Sequence, residues 1–395
     1  MQYNSTFHEL FNLVPRHRFE KLVKETSADH YCKGFDSWKH FKTCLYAQIS
    51  GKDSLRAIES GLISNHRRLY HLGMESVSKS TLADAMNRRS PEVFKAIFYE
   101  LLDRVLKLAP KHKFDFEYQL NIIDSTTIDL CLNSYDWAHY RKRKGAIKLH
   151  VKLILSEDGN IPDFVMMSNG LMSDIRAARE NITIVPDSIY VVDRGYHDLK
   201  WFKHIDNSGA YFVSRLRCRA QIKFLGQHRQ VDKNLGFIRD EMICYTEYES
   251  SHKYPGQIRL VEFYDKEKNV TYRFITNNFN LDSVTIAEIY KKRWQIEIFF
   301  KWIKNNLKIK SFIGTTQNAV MTQIWVALIY YLLIAYIKFL HRAKLNPTEL
   351  TWRIKDTLMQ NFSLLEALNL DKKIIKKPPD WNQPQQLELF PSFRG

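Results

Sequence analysis

Residues 116–132 read Phe-Glu-Tyr-Gln-Leu-Asn-Ile-Ile-Asp-Ser-Thr-Thr-Ile-Asp-Leu-Cys-Leu, and the fold turns on how this stretch is taken. Ile122-Ile123 before Asp124 and Thr126-Thr127-Ile128 after it give the apolar, β-branched character of a strand. A second strand is expected over 146–155. Glu157-Asp158-Gly159 supplies a hairpin turn into a third over 161–167. Further along, 173–180 reads as a helix, 188–193 as a short apolar strand, 197–205 as a helix with aromatic faces and 210–216 as another strand.

Three meandering strands followed by alternating helices and strands is the order of a mixed α/β, ribonuclease-H-like core. Residues 217–276 turn short, aromatic and β-like, and are expected to form a β-rich insertion. A long helix is predicted from about 282 to 310, then an almost wholly apolar stretch over 324–340 broken by Lys338. That stretch approaches membrane-spanning length. With nothing else membranous in the chain, it reads as a helix buried against a sheet, and no membrane is expected. The division that follows is 1–115 as a helical N-terminal domain, 116–216 and 277–345 as the two parts of the core, 217–276 as the insertion, and 346–395 as a helical region with a Lys- and Pro-rich, disordered tail.

Charge names a class of partner. Lys and Arg number 59 against 43 Asp and Glu, a formal charge of +16, which suits a polyanion such as DNA. Residues 53–89 read as helix, turn, helix. Asp53 or Ser54 caps the first helix, Gly61 ends it, Ser78 or Ser80 caps the second, and Pro91 opens the next. Lys79, Arg88 and Arg89 are the candidate DNA contacts there. Five cysteines without a C-x-x-C pair suggest neither a disulfide framework nor a zinc site. A reducing cytoplasm fits this, as does an N-terminus without a secretory pattern. The expected location is the cytoplasm, at the nucleoid.

Three acids stand out by position. Asp124 sits inside an apolar strand and Asp193 ends another, where a carboxylate is costly unless paired or bound to metal. Glu297 lies on the long helix, where Tyr290, Arg293, Glu297 and Lys304 fall within about an 80° sector at 3.6 residues per turn. The apolar stripe of Ile289, Ile296, Phe300, Ile303 and Leu307 lies roughly a quarter turn away. By itself, Arg293 with Glu297 is an ordinary i, i+4 ion pair. The two strand aspartates make it more than that.

Tyr290, Arg293, Glu297 and Lys304 match Y-x2-R-x3-E-x6-K without a gap, and in this the chain resembles the insertion-sequence-four family of DDE transposases. Asp124-Ser125-Thr126 and Asp193-Arg194-Gly195-Tyr196 look like that family's two Asp motifs. The resemblance implies an enzyme that binds the terminal inverted repeats of a mobile element, cuts its ends and joins them to target DNA, as a homodimer on the DNA. Two Mg2+ ions, replaceable by Mn2+, fit hard oxygen ligands: Asp124 bridging both, Asp193 and Glu297 holding one each. Arg293 and Lys304 would neutralise phosphates and Tyr290 would touch the DNA backbone. In relatives a Trp of the insertion can stack on a flipped base, whereas none lies between Trp201 and Trp294 here, which leaves Tyr245, Tyr264 or Tyr272. Competing readings are a ribonuclease-H-like nuclease without strand transfer and a non-catalytic DNA-binding repressor. In the tail, Gln386, Leu387, Leu389 and Phe390 resemble the short peptide by which bacterial proteins dock on the replicative sliding clamp, with Glu388 in place of a smaller polar residue.

Overall fold

The computed structural model describes residues 5–369, apart from 31, 113, 132–134, 136, 142–143 and 307–311. The sliding-clamp sequence at 386–390 lies outside the described residues, as does the rest of the tail. Ten strands join into one sheet: β1 (Gln119–Leu130), β2 (His139–Arg141), β3 (Lys144–Ile154), β4 (Ile161–Asn169), β5 (Ser188–Val191), β6 (Tyr211–Arg215), β7 (Ile222–Gln227), β8 (Phe237–Tyr245), β9 (Ile258–Asp265) and β10 (Val270–Thr276). β1, β3 and β4 form the antiparallel meander, and β1, β5 and β6 run parallel beside it. This is the ribonuclease-H-like arrangement expected from the strand order. The β-rich segment is built into the sheet rather than set apart from it, because β10 pairs with β6 and β9, β8 and β7 follow outward.

Alternation along the strands divides the core. Ile189 and Val191 face one layer, Tyr190 and Val192 the other, as the period of two requires. Towards the second layer pack α8 (Asp174–Asn181) and α9 (Leu199–Asn207), with Phe202 stacked on Phe212 at 4.3 Å. The first layer is helical throughout. It holds α1 (Thr6–Asn12), α2 (Arg16–Glu25), α3 (Ser37–Ser50), α4 (Leu55–Ser64), α5 (His66–Leu69), α6 (Lys79–Arg88) and α7 (Glu92–Leu108) from the N-terminal third. The helices after the sheet join the same cluster: α11 (Ser283–Lys291), α12 (Trp294–Asn306), α13 (Gln317–His341), α14 (Pro347–Thr357) and α15 (Leu364–Asn369). A short α10 (Tyr248–Lys253) connects β8 to β9.

The apolar stretch around 324–340 is α13, long and apolar enough to cross a membrane but 83% buried over its most apolar window. Its main neighbours are α7, α3 and α6 rather than the sheet, which revises the expectation of a sheet partner. Trp325 meets Phe98 at 5.3 Å and Tyr331 meets Trp302 at 4.9 Å. Each fully buried Leu or Ile of α13 contributes about 1.5–3 kcal/mol, within a single buried cluster that also takes in the N-terminal helices and one face of the sheet.

Two local expectations change. Gly61 does not end α4, which runs to Ser64; a Cβ at 61 would stand 2.7 Å from Tyr46 Oη, so Gly there serves helix packing. The long helix at 282–310 is broken. α11 closes at Lys291, Lys292 and Arg293 form a turn, and α12 starts at Trp294. Ser54, Ser78 and Pro91 do open α4, α6 and α7, with both serines accepting helix N–H bonds.

Candidate active site

β1 and β5 are paired only as far as Ile122 and Val191, so Asp124 and Asp193 lie just past the end of their shared ladder. Asp124 Oδ1 accepts the Ser125 N–H at 2.8 Å. Asp193 Oδ1 accepts the Gly195 N–H at 2.8 Å, and a Cβ at 195 would stand 3.0 Å from that same oxygen, so the position suits Gly. Tyr196 is buried immediately behind this turn.

The broken helix brings the third acid across. Arg293, in the turn between α11 and α12, reaches Asp124 Oδ2 from Nη1 at 3.4 Å and Glu297 Oε1 from Nη2 at 2.5 Å. One guanidinium thus links a strand carboxylate to a helix carboxylate 173 positions further along, by the difference of 297 and 124. Burial, with the nearby charges of Asp193 and Asp174, pushes the Asp124 carboxyl up to about 7, against the opposing pull of the Ser125 N–H and Arg293. Burial and the same three aspartates push the Tyr196 phenol well above its ordinary value, keeping it neutral.

Among the described residues, no three His, Cys, Asp or Glu side chains stand close enough as placed to cage a metal ion. The donor chemistry nonetheless suits a hard divalent cation. Asp124, Asp193 and Glu297 are all carboxylates, Asp124 is penalised as an anion where it stands, and the Arg293 cation already bridges two of the three.

The other expected residues differ in where they stand. Tyr290 is 9% exposed and packs on Phe274 at 4.9 Å, while its hydroxyl stands beside the Arg293 guanidinium and within reach of the Asp193 charge. Lys304 is exposed on α12, two turns beyond Glu297. Lys79 and Arg88 are exposed on α6, with Arg88 paired to Asp84 at 2.7 Å. Arg89 is turned inward: it donates to the Phe35 carbonyl and lies over the Phe35 ring at 5.5 Å, which is structural work rather than DNA contact. Of the aromatics considered for stacking, Tyr245 is buried and Tyr272 lies against Arg215. Tyr264 is half-buried and donates to Asn269. Trp294, next to Arg293, is 58% exposed and was not singled out by its place in the sequence.

Comparison with known proteins gives the family. Residues 115–333 match the transposase DDE domain, and residues 2–75 match a domain of unknown function (DUF4372). The chain is 31% identical over 269 residues to a protein of Sinorhizobium fredii named as the transposase y4zB, covering 68% of this chain and 73% of that one. It is 26% identical to a protein of Geobacillus stearothermophilus named as the transposase for insertion sequence element IS5377 (62% and 65% covered). It is also 26% identical to one of Synechocystis named as the transposase for insertion sequence element IS4SA (70% and 76% covered). DDE transposase domains bind DNA, depend on divalent metal, and cleave and transfer DNA strands. These likenesses favour neither the repressor nor the simple nuclease. By the match over more than half its length, the chain belongs to the DDE-domain transposases of insertion sequences.

Proposed function

We propose that Asp124, Asp193 and Glu297 form a single centre that holds Mg2+, as two ions replaceable by Mn2+, and cuts and rejoins the ends of the element. The observation that carries this reading is the Arg293 guanidinium spanning Asp124 and Glu297, since it draws a strand acid and a helix acid to one cation. When bound, the metal supplies an activated water and stabilises charge on the reacting phosphate.

The chain's own residues do the rest. Arg293 exchanges a carboxylate for a backbone phosphate when DNA enters, and the exposed Lys304 adds a second phosphate contact along α12. Trp294 offers an exposed ring beside the cutting centre for stacking on an unpaired base. Tyr290, buried against Phe274, fixes the turn that carries Arg293 rather than touching DNA. Lys79 and Arg88 present α6 to the terminal repeats, because the exposed Arg88–Asp84 pair is weak enough to open. The protein works as a homodimer on DNA, in the cytoplasm at the nucleoid, and its tail docks on the sliding clamp through Gln386, Leu387, Leu389 and Phe390.

Strand transfer distinguishes this enzyme from a nuclease. Purified chain, pre-cut end DNA and a supercoiled plasmid are incubated with Mg2+, and the plasmid is examined for covalently joined ends. Joined products are expected. Nicked plasmid without joining would assign a nuclease instead.

A further inference from the structure

Asp124 and Ser125 point to opposite faces of β1, as neighbours on a strand must. Behind the site, on the face away from α12, Ser125 shares the sheet surface with residues of β3. It stands opposite His150, with Lys148 two residues along opposite Thr127. Asp174, the first residue of α8, comes down onto this group. Ser125 Oγ donates to Asp174 Oδ1 at 2.5 Å, and Lys148 Nζ lies 3.2 Å from the same oxygen. His150 Nδ1 is 3.6 Å from it, while Nε2 of that ring meets Ser168 Oγ of β4 at 2.9 Å. Lys148 is itself held by the Met172 carbonyl at 3.1 Å. Lys148 and His150 are 14% and 4% exposed and Asp174 is 31% exposed, so the basic side of this anchorage is buried while the carboxylate is only partly so.

We propose that Asp174 is a positioning residue for the cutting centre, acting on Asp124 through Ser125 from the reverse face of the sheet. One residue makes both links. The Ser125 hydroxyl is tied down to Asp174 while the Ser125 N–H is aimed at Asp124 Oδ1, which leaves Oδ2 turned to the side where Arg293 stands. Asp174 therefore sets the direction in which Asp124 presents its Oδ2, the oxygen that meets Arg293, and Lys148 neutralises the charge this requires. The inference rests on the reading of Asp124 as a metal ligand. It adds a fourth acid that touches neither metal nor DNA.

Partners behind a metal ligand are worth about 10–100-fold in metal affinity or activity. The test titrates Mn2+ into the DNA-free chain, followed by electron paramagnetic resonance, with unfolding curves and DNA binding measured alongside. Asp174→Ala is expected to weaken Mn2+ binding about tenfold, Ser125→Ala to match it, and the double variant to be no worse than either. Asp174→Asn, which keeps an acceptor for the Ser125 hydroxyl, should recover part of the loss. Should Asp174→Ala fail to fold, Ser125→Ala removes only the hydroxyl and carries the test. Mn2+ affinity within twofold of the parent in Ser125→Ala, or losses that multiply in the double variant, would overturn the proposal. Asp124→Asn separates the two levels: it must abolish tight Mn2+ binding if the centre itself is correct. Loss there without loss in Ser125→Ala defeats the positioning role alone, and no loss there defeats both.

Discussion

A single residue, Asp124, carries the tension on which the site is built. Its carboxyl is held in a largely buried place beside Asp193, where the Ser125 N–H and a neighbouring cation are what favour the charged form. Arg293 supplies that cation in the free chain, and the same guanidinium is available to a phosphate when DNA arrives. Arg293→Ala and Lys304→Ala should each weaken DNA binding and lower the slope of log affinity against log salt by about one unit, as read from binding isotherms across a salt series. An unchanged slope would confine either residue to protein structure. Asp124, Asp193 and Glu297 were readable as candidates because acids interrupt apolar strands or stand at a fixed helix spacing. Asp174 was not, because a helix-opening Asp is ordinary by itself and only the sheet face brings it to Ser125.

At the scale of elements, the turn at Lys292 and Arg293 decides which side chains meet. The local sequence Lys291-Lys292-Arg293-Trp294 contains no Gly or Pro, so an unbroken helix was the natural expectation. What holds this corner lies in the β-rich segment. Arg259 and Asp240 are wholly buried on β9 and β8 and meet at 2.6 Å. Arg259 also donates to the Asn278 carbonyl at 3.1 Å, and Ser283 at the start of α11 donates to Asp240 at 2.7 Å. The pair thus ties the outer strands to the helix that leads into Arg293. Arg259→Met leaves a buried carboxylate uncompensated and should cost about 3–5 kcal/mol in urea unfolding, whereas Arg259→Met with Asp240→Asn should lose clearly less. Equal losses in the single and double variants would show that the ion pair is not the source.

Across the whole molecule, the N-terminal helices are fused to the catalytic part through α13. Composition could not show this, because an all-apolar helix has no marked face to say which neighbours cover it. Strand order was legible, since alternation and turns are local; joining the β-rich segment to β6 was not, because it depends on a pairing between residues about 60 apart in sequence. Acid should loosen this shared core. Burial holds His40 in the helical layer to about 3, and His150 and His197 to about 4, all below the ordinary value of 6.5. Their neutral forms therefore stabilise the fold fully above pH 6.5, and that stability is lost as pH falls towards 3–4. His40→Leu has no proton to take up, so its loss of unfolding free energy between pH 7.5 and 4.5 should be smaller than the parent's by about 3 kcal/mol. An identical pH dependence would remove His40 from the account. The claim that joins all three scales is that three carboxylates from two strands and a broken helix make one metal-dependent cutting centre. It is tested most directly by mapping nicks on the element's own end DNA with Mg2+, for the parent chain and for Asp124→Asn, Asp193→Asn and Glu297→Gln. The account predicts nicks at the element boundary from the parent alone, none in excess EDTA, and end binding within a few-fold in all three variants. Normal nicking by any one variant, or undiminished nicking without metal, would contradict it.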